Sequence, residues 1–186
     1  MEDSFTQRKM SILSKVDKSS KGSMDAQITE LCDALNVTID YYTTSSCSGK
    51  SVIMEEKDGK DGTYYLWTSH NLISVEEIKE ALEKVENGLV KFKCESPILH
   101  VGCRTLGFAQ KLVDDAKRVG WKRSGIMTTS DRYLVELCSV EKMELPIAKD
   151  GKVLVNDDFL KILVEENNSR REKGWKKIMS LTETFN

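Results

Sequence analysis

The 186-residue sequence lacks several features by which common protein classes are identified. It contains no run of about 18 uninterrupted apolar residues, so we expect no membrane-spanning helix and no membrane partner. Its first ten residues, MEDSFTQRKM, carry two acidic residues at the start and have no apolar core, so we expect no secretory signal peptide. Together these absences predict a cytosolic or nuclear protein, and we expect the cytoplasm.

The sequence also lacks the ligand spacing of a zinc site. No Cys-x-x-Cys pair is present, and there are only two histidines. The five cysteines lie at positions 32, 47, 94, 103 and 138. We expect them to be reduced and mostly buried, and we expect no structural metal.

No excess of charge of one sign is present. The 28 Lys and Arg residues nearly balance the 30 Asp and Glu residues, and the net charge of −2 with 39% hydrophobic residues is typical of a globular domain. The overall charge gives no indication of nucleic acid. The densest local cluster of positive charge is RREKGWKK at 170–177, which suits either a phosphate backbone or a solvated helix face.

Apolar periodicity predicts helices alternating with strands. Apolar residues recurring every three or four positions, together with capping residues, predict helices over 5–16, 23–36, 74–87, 105–119 and 156–181, the last weakened at Gly174. Alternating or β-branched stretches predict strands at 37–44, 52–56, 64–68, 89–94, 98–103, 125–129 and 133–140. Pro146 and the KDGK turn at 149–152 predict a further hairpin. We expect the first three strands to form a meander.

This element order predicts an α+β fold. We expect residues 1–186 to form a single domain in which one mixed β-sheet is flanked by helices and a long helix ends the chain.

The densest polar cluster is TTSSCSGK at 43–50. The Gly-Lys-Ser sequence at 49–51 is not a nucleotide-binding loop, because that loop needs glycine at Thr44 and a helix where VIMEE predicts a strand. Cys47 with His70 or His100 would permit a Cys-His hydrolase, although no family signature surrounds the cysteine. No Gly-x-Gly-x-x-Gly fingerprint of a Rossmann domain is present. Residue patterns by themselves therefore indicate no particular reaction.

Three blocks of the sequence together resemble one family. The first block is DKSSKGSMDAQITELCDALN at 17–36. The second is YYTTSSCSGKSVIM with a later WTSH, which is similar to a Ser-x-Ser-Ser-Cys-x-Gly-Arg segment followed by Gly-x-Trp-x-x-x-x-His. The third is ILHVGCRTLGFAQKLVDDAKRVGWKRSGI at 98–126, similar to a strand-helix-strand block. In this order the blocks resemble the tRNA wybutosine-synthesizing protein 3 family.

The resemblance implies an S-adenosylmethionine-dependent methyltransferase with a non-Rossmann fold. Its substrate would be the tricyclic wybutosine precursor base next to the anticodon of phenylalanine tRNA, methylated at N4. The methyl group passes from a sulfonium to a nitrogen by in-line displacement, so the protein must mainly align the two groups. Cys47 would then line the pocket rather than attack.

The resemblance also implies which residues form the site. His70, His100 and Ser46 are expected to be catalytic, a histidine accepting a proton near neutral pH. The residues expected to bind the methyl donor are Ser45, Ser46, Cys47, Lys50, Trp67 and Arg104. The residues of the first block expected to bind tRNA are Asp17, Lys21 and Asp25. Separately from the resemblance, Arg170, Lys173 and Lys177 on the C-terminal helix are expected to bind tRNA, because a chain with net charge −2 needs a concentrated positive face to bind a polyanion.

The sequence departs from the family pattern at four positions. Thr43 and Lys50 stand where the family has serine and arginine, and Thr63 and Tyr65 stand where it has glycine and tryptophan. Lysine keeps the charge of arginine but loses its planar, bidentate recognition. These departures leave a second hypothesis open, a tRNA-binding adaptor that has kept the fold and lost catalysis.

Overall fold

The computed structural model describes residues 3–14, 24–56 and 63–185. The helices of this part of the chain are α1 (Ser4–Leu13), α2 (Ala26–Val37), α3 (Val75–Leu82), α4 (Leu106–Arg118) and α5 (Asp157–Thr182). Its strands are β1 (Tyr41–Cys47), β2 (Lys50–Glu56), β3 (Thr63–Ser69), β4 (Leu89–Glu95), β5 (Ile98–Cys103), β6 (Gly125–Thr128), β7 (Tyr133–Cys138), β8 (Met143–Lys149) and β9 (Lys152–Val153). The α+β class is confirmed.

Local sequence signals explain where the helices begin. The side chains of Ser74 and Glu77 form a reciprocal capping box at the start of α3. Thr105 Oγ1 accepts from the Phe108 N–H at the start of α4, and Asn156 Oδ1 accepts from the Phe159 N–H at the start of α5. Ser23, the expected cap of the second helix, and Val16, the expected end of the first, lie outside the described residues.

The chain folds into two compact units. The first contains Met1–Ser48, Pro97–Val140 and Gly174–Asn186, and the second contains Gly49–Ser96 and Glu141–Lys173. The first unit has a sheet of order β1-β5-β7-β6. One face of this sheet packs on α2, α4 and the end of α5 around the fully buried Trp121. On the opposite face, the Phe5 ring of α1 lies 5.2 Å from the Tyr42 ring of β1.

The second unit has a sheet of order β3-β2-β4-β8-β9. Its core is formed by side chains of this sheet, of α3 and of the first turns of α5, including Phe92, Ile78 and Leu163. The hairpin predicted at KDGK is confirmed as β8 and β9, with Asp150 at φ 49° and Gly151 at φ 73°. Two positive φ values at this turn are those of a type I′ hairpin.

The prediction of one mixed sheet is wrong. Every strand pair among the described residues is antiparallel, and the strands form two sheets. The expected meander is also wrong, because β1 pairs with β5 while β2 pairs with β3 and β4. Neighbouring strands usually pair, but the chain leaves the first unit after Ser48 and Gly49 turns with φ 89°.

The predicted long C-terminal helix is confirmed and continues through Gly174. A Cβ at Gly174 would lie 3.0 Å from ring carbons of Pro97, so the helix needs a residue without a side chain there. No helix among residues 3–14, 24–56 and 63–185 is long and apolar enough to span a membrane.

None of the five cysteines is in a disulfide, and Cys32, Cys94 and Cys103 are buried, as predicted. Burial raises the pKa of Cys32 and Cys94 to about 11 and that of Cys103 to about 12. In the unfolded chain these thiols have their ordinary pKa, near 9.0. At pH values just above 9 the unfolded chain therefore loses these protons, whereas the folded protein keeps them. The stabilising effect of burying neutral thiols is therefore complete below about pH 9, declines progressively above it, and is fully lost once pH has risen through the folded pKa values of 11 to 12.

We expect the free energy of unfolding to fall with rising pH by about 1 kcal/mol per buried thiol by pH 10. Urea denaturation from pH 7.5 to pH 10.5 measures this slope. Cys103→Ala should flatten the slope. Equal slopes for the wild type and Cys103→Ala would contradict the assignment.

Candidate functional site

A hydrogen-bonded row of polar side chains crosses three strands of the first unit. Ser45 of β1 lies directly opposite His100 of β5, and His100 lies opposite Glu136 of β7. The distance from Ser45 Oγ to His100 Nδ1 is 2.9 Å, and that from His100 Nε2 to Glu136 Oε2 is 3.0 Å. The side chains of His100 and Glu136 are 27% and 35% exposed, so a ligand can reach the row.

A β-bulge in β1 creates this row. The register between β1 and β5 shifts between Thr43 and Ser45, which leaves Thr44 as the extra residue. The shift turns Ser45 to the face that carries His100. Thr44 Oγ1 donates to the His100 carbonyl oxygen at 3.3 Å and ties the bulge to β5.

The bulge also separates the two serines. Ser46 is paired with the buried Leu99, and its side chain acts on the Cys32 thiol of α2, lowering the pKa that burial raises. Ser46 and His100 were predicted to be catalytic together, but they lie on opposite faces of the sheet. The structure instead brings Ser45, predicted to bind the donor, into contact with His100.

Cys47 is half-buried at the end of β1, opposite Ile98. Both ring nitrogens of His100 are engaged, one by Ser45 and one by Glu136. His100 is therefore not placed as the base of a Cys47 nucleophile.

Asp25 supports the loop after β1 from inside the first unit. Its carboxylate is buried and accepts from the Ser48 N–H at 2.9 Å and from the Ser48 hydroxyl at 3.1 Å. It precedes α2 but makes no side-chain capping bond to that helix. These contacts indicate that Asp25 shapes the turn at Ser48. Asp17 and Lys21, expected to bind tRNA with it, lie outside the described residues.

Arg104 lies away from the Ser45 row. It follows β5, about 13 Å along the strand from His100. Its guanidinium donates to the Ile39 carbonyl oxygen at 2.8 Å and lies 4.5 Å from the centre of the Phe5 ring. An ion pair with Asp3 completes these contacts. Arg104 therefore fixes α1 and the loop before β1, and no described contact brings it to Ser45.

In the second unit, two of the departures from the family pattern are in contact. The Lys50 ammonium lies 4.9 Å from the centre of the Tyr65 ring and 3.5 Å from a Glu95 carboxylate oxygen. The lysine therefore makes a cation–π contact and an ion pair.

The second unit also holds Trp67 and His70. Trp67 is half-buried and packs against the core of this unit. His70 follows β3, and its carbonyl oxygen accepts from Arg171 Nη2 at 2.8 Å. Arg171 is only 1% exposed, so it is a structural cation rather than part of a solvated helix face.

The remaining cations of the C-terminal helix differ in exposure. Arg170 pairs with Glu166 at 2.6 Å and donates to a backbone carbonyl. A Cβ on Gly120 would lie 2.8 Å from Lys177 Cε, so the aliphatic part of that lysine packs against the glycine. Lys173 and Lys176 are exposed.

Glu136 is the site residue that the sequence did not reveal. In the alternating strand YLVELC it is typical of an ordinary solvent-facing glutamate. Only the pairing of β5 with β7 places its carboxylate against His100.

Comparison with known proteins gives consistent similarities. The sequence model of one family, described as methyltransferase TYW3, matches residues 7–186. A relative from Thermococcus sibiricus, named tRNA(Phe) 7-((3-amino-3-carboxypropyl)-4-demethylwyosine(37)-N(4))-methyltransferase, is 34% identical over 94% of this chain and 90% of its own length. A relative from Pyrococcus abyssi with the same name, numbered 1, is 37% identical over 88% of this chain and 86% of its own.

Solved structures resemble the whole chain. The PH1069 protein from Pyrococcus horikoshii superposes with a TM-score of 0.91 at 33% identity, covering 98% of this chain and 96% of its own. A hypothetical protein from Aeropyrum pernix shares the fold, with a TM-score of 0.77 at 24% identity over 87% of this chain and 96% of its own.

Proposed function

Because this chain belongs to the methyltransferase TYW3 family, we propose that it methylates N4 of the tricyclic wybutosine precursor base next to the anticodon of phenylalanine tRNA. The relatives named above carry this activity in their names. S-adenosylmethionine is the proposed donor, since its sulfonium supplies a methyl group ready for displacement. We further propose that residues 1–186 act as one functional domain, and that the protein works in the cytoplasm.

The hydrogen bond between Ser45 and His100 is the observation that carries the proposal. A 4-demethyl base bears a hydrogen at N4 that the methyl group replaces. As the new N–C bond forms and the C–S bond breaks, the sulfonium becomes a neutral thioether and the N4 proton must leave. An exposed hydroxyl hydrogen-bonded to an imidazole, 2.9 Å away, provides a path for that proton.

The other site residues are proposed within their own units. In the first unit, Cys47 lines the edge of the Ser45 row, and Ser46 and Asp25 hold β1 and its turn in place. In the second unit, Lys50 offers a positive charge for an anionic group of the donor or substrate, Trp67 an apolar surface, and His70 a second imidazole. Arg104 is proposed only to support the fold.

The test is incubation with labelled S-adenosylmethionine and phenylalanine tRNA that lacks only this methyl group. We expect label in the base at N4, and stoichiometric donor binding by calorimetry. Absence of label, under conditions in which the Pyrococcus abyssi relative transfers it, would refute the proposal. Saturable tRNA binding without donor binding would instead identify an adaptor.

The exposed lysines of α5 are proposed to contact the tRNA backbone. Each phosphate contact makes the slope of log K against log salt more negative by about 0.9 for duplex and 0.7 for single strands. Lys173→Ala and Lys176→Ala, tested separately, should each weaken tRNA binding and flatten this slope by about that amount. Donor affinity should not change.

Lys161→Ala is the matched control for these variants. Lys161 is exposed on the same helix but is paired with Asp158 at 3.0 Å. If Lys173→Ala and Lys176→Ala bind tRNA like the control across a salt series, these lysines do not contact the tRNA backbone.

A further inference from the structure

We propose that Glu136 is a positioning residue for methyl transfer, which acts by fixing the tautomer and orientation of the His100 ring. This inference rests on the proposed function, in which His100 receives the proton. It assigns a role to a residue that neither the sequence motifs nor the Ser-Ser-Cys segment includes. Glu136 acts through His100 and does not itself touch the reacting atoms.

The argument begins with donors and acceptors. A carboxylate can only accept hydrogen bonds, so the 3.0 Å contact with Glu136 requires the proton of a neutral His100 ring to be on Nε2. Nδ1 then carries the lone pair. The Ser45 hydroxyl, 2.9 Å from Nδ1, must therefore be the donor in that contact.

The backbone holds this arrangement rigidly. His100 and Glu136 are direct partners in the register of β5 and β7. The residues on either side of Glu136, Val135 and Leu137, are fully buried and anchor β7 in the core. The ring can therefore rotate little without breaking the contact with Glu136 or the contact with Ser45.

The row is open on the side beyond Glu136. Gly125 of β6 lies directly opposite Glu136, and a Cβ there would meet no atom within 4 Å. No side chain of the sheet therefore covers this end of the row.

The tautomer of His100 with its proton on Nε2 completes the proton path. The N4 proton passes to Ser45 Oγ while the Ser45 proton passes to His100 Nδ1, so the serine ends unchanged. The imidazolium that results carries protons on both nitrogens, and the Glu136 carboxylate lies beside its positive charge. If the proton were on Nδ1 instead, the ring could not accept from Ser45.

Steady-state kinetics provide the first test. Glu136→Gln keeps the shape of the side chain but offers an amide that both donates and accepts. We expect kcat to fall about tenfold with KM for tRNA and donor unchanged, because Glu136 touches neither ligand. Glu30→Gln, at an exposed position on α2, is the charge-matched control and should behave as wild type.

A double variant separates positioning from a merely structural role. If Glu136 acts only through the imidazole, Glu136→Gln should have no further effect on kcat in a His100→Gln background. Additive losses in the double variant would overturn the inference, and so would a wild-type kcat for Glu136→Gln.

Nitrogen-15 NMR of the imidazoles tests the ring without activity. The chain has only two histidines, and His70→Gln assigns their signals. In the wild type, neutral His100 should show a protonated Nε2 and an unprotonated Nδ1. In Glu136→Gln, both signals should move toward their mean, because the amide permits either tautomer.

The two proposals fail in distinguishable ways. A proton on Nδ1 in the wild type, or unchanged signals in Glu136→Gln, would overturn the role of Glu136 even if the enzyme is active. Absence of methyl transfer with the expected signals would overturn the proposed reaction and leave the positioning of the ring established.

Discussion

Replacing His100 with glutamine is expected to slow methyl transfer by about 100-fold or more. Glutamine can still form hydrogen bonds with Ser45 and Glu136, but a carboxamide takes up no proton near neutral pH. The proton from N4 would then have to leave to solvent. Single-turnover transfer of labelled methyl to saturating tRNA measures this loss directly.

The same variant should remain folded and bind both ligands. The His100 side chain is 27% exposed, and glutamine fits the same register position. We therefore expect changes in the melting temperature of a few degrees at most and dissociation constants close to those of wild type. A single-turnover rate within twofold of wild type would show that His100 does not take up the proton.

Replacing Gly102 with alanine is expected to destabilise the protein by about 3 kcal/mol. Gly102 lies on β5 directly opposite Tyr42. A Cβ there would lie 2.2 Å from Cζ and 2.6 Å from Oη of Tyr42. The Tyr42 ring is 1% exposed and is packed against Phe5, so it cannot move aside without opening the contact between α1 and the sheet. Urea denaturation measures the loss.

Two further variants test the cause of that loss. Gly125→Ala adds a methyl group to the same sheet where nothing lies within 4 Å, and it should change stability by no more than about 0.5 kcal/mol. Tyr42→Leu removes the ring atoms that Cβ would meet, so Gly102→Ala should cost much less in that background. Equal losses for Gly102→Ala in the two backgrounds would contradict the ring clash.

Helices, one hairpin and the family could be derived from the sequence because their signals are local. Ser74, Thr105 and Asn156 begin helices by accepting hydrogen bonds from residues three positions later. Asp150 and Gly151 form their turn from their own backbone preferences. The Ser-Ser-Cys segment and the flanking blocks are contiguous, so they identify the family without knowledge of the fold.

Strand pairing and side-chain facing depended on distant partners, and only the tertiary structure decided them. By simple alternation from Tyr42, Thr44 and Ser46 would share its face, but the bulge at Thr44 places Ser45 there and turns Ser46 to Cys32. A bulge arises from the register with β5, more than 50 residues away. The alternation of apolar and polar residues along β1 therefore does not indicate it. Glu136 joins the site for the same reason, since a glutamate on a strand becomes a partner of His100 only when β7 pairs with β5.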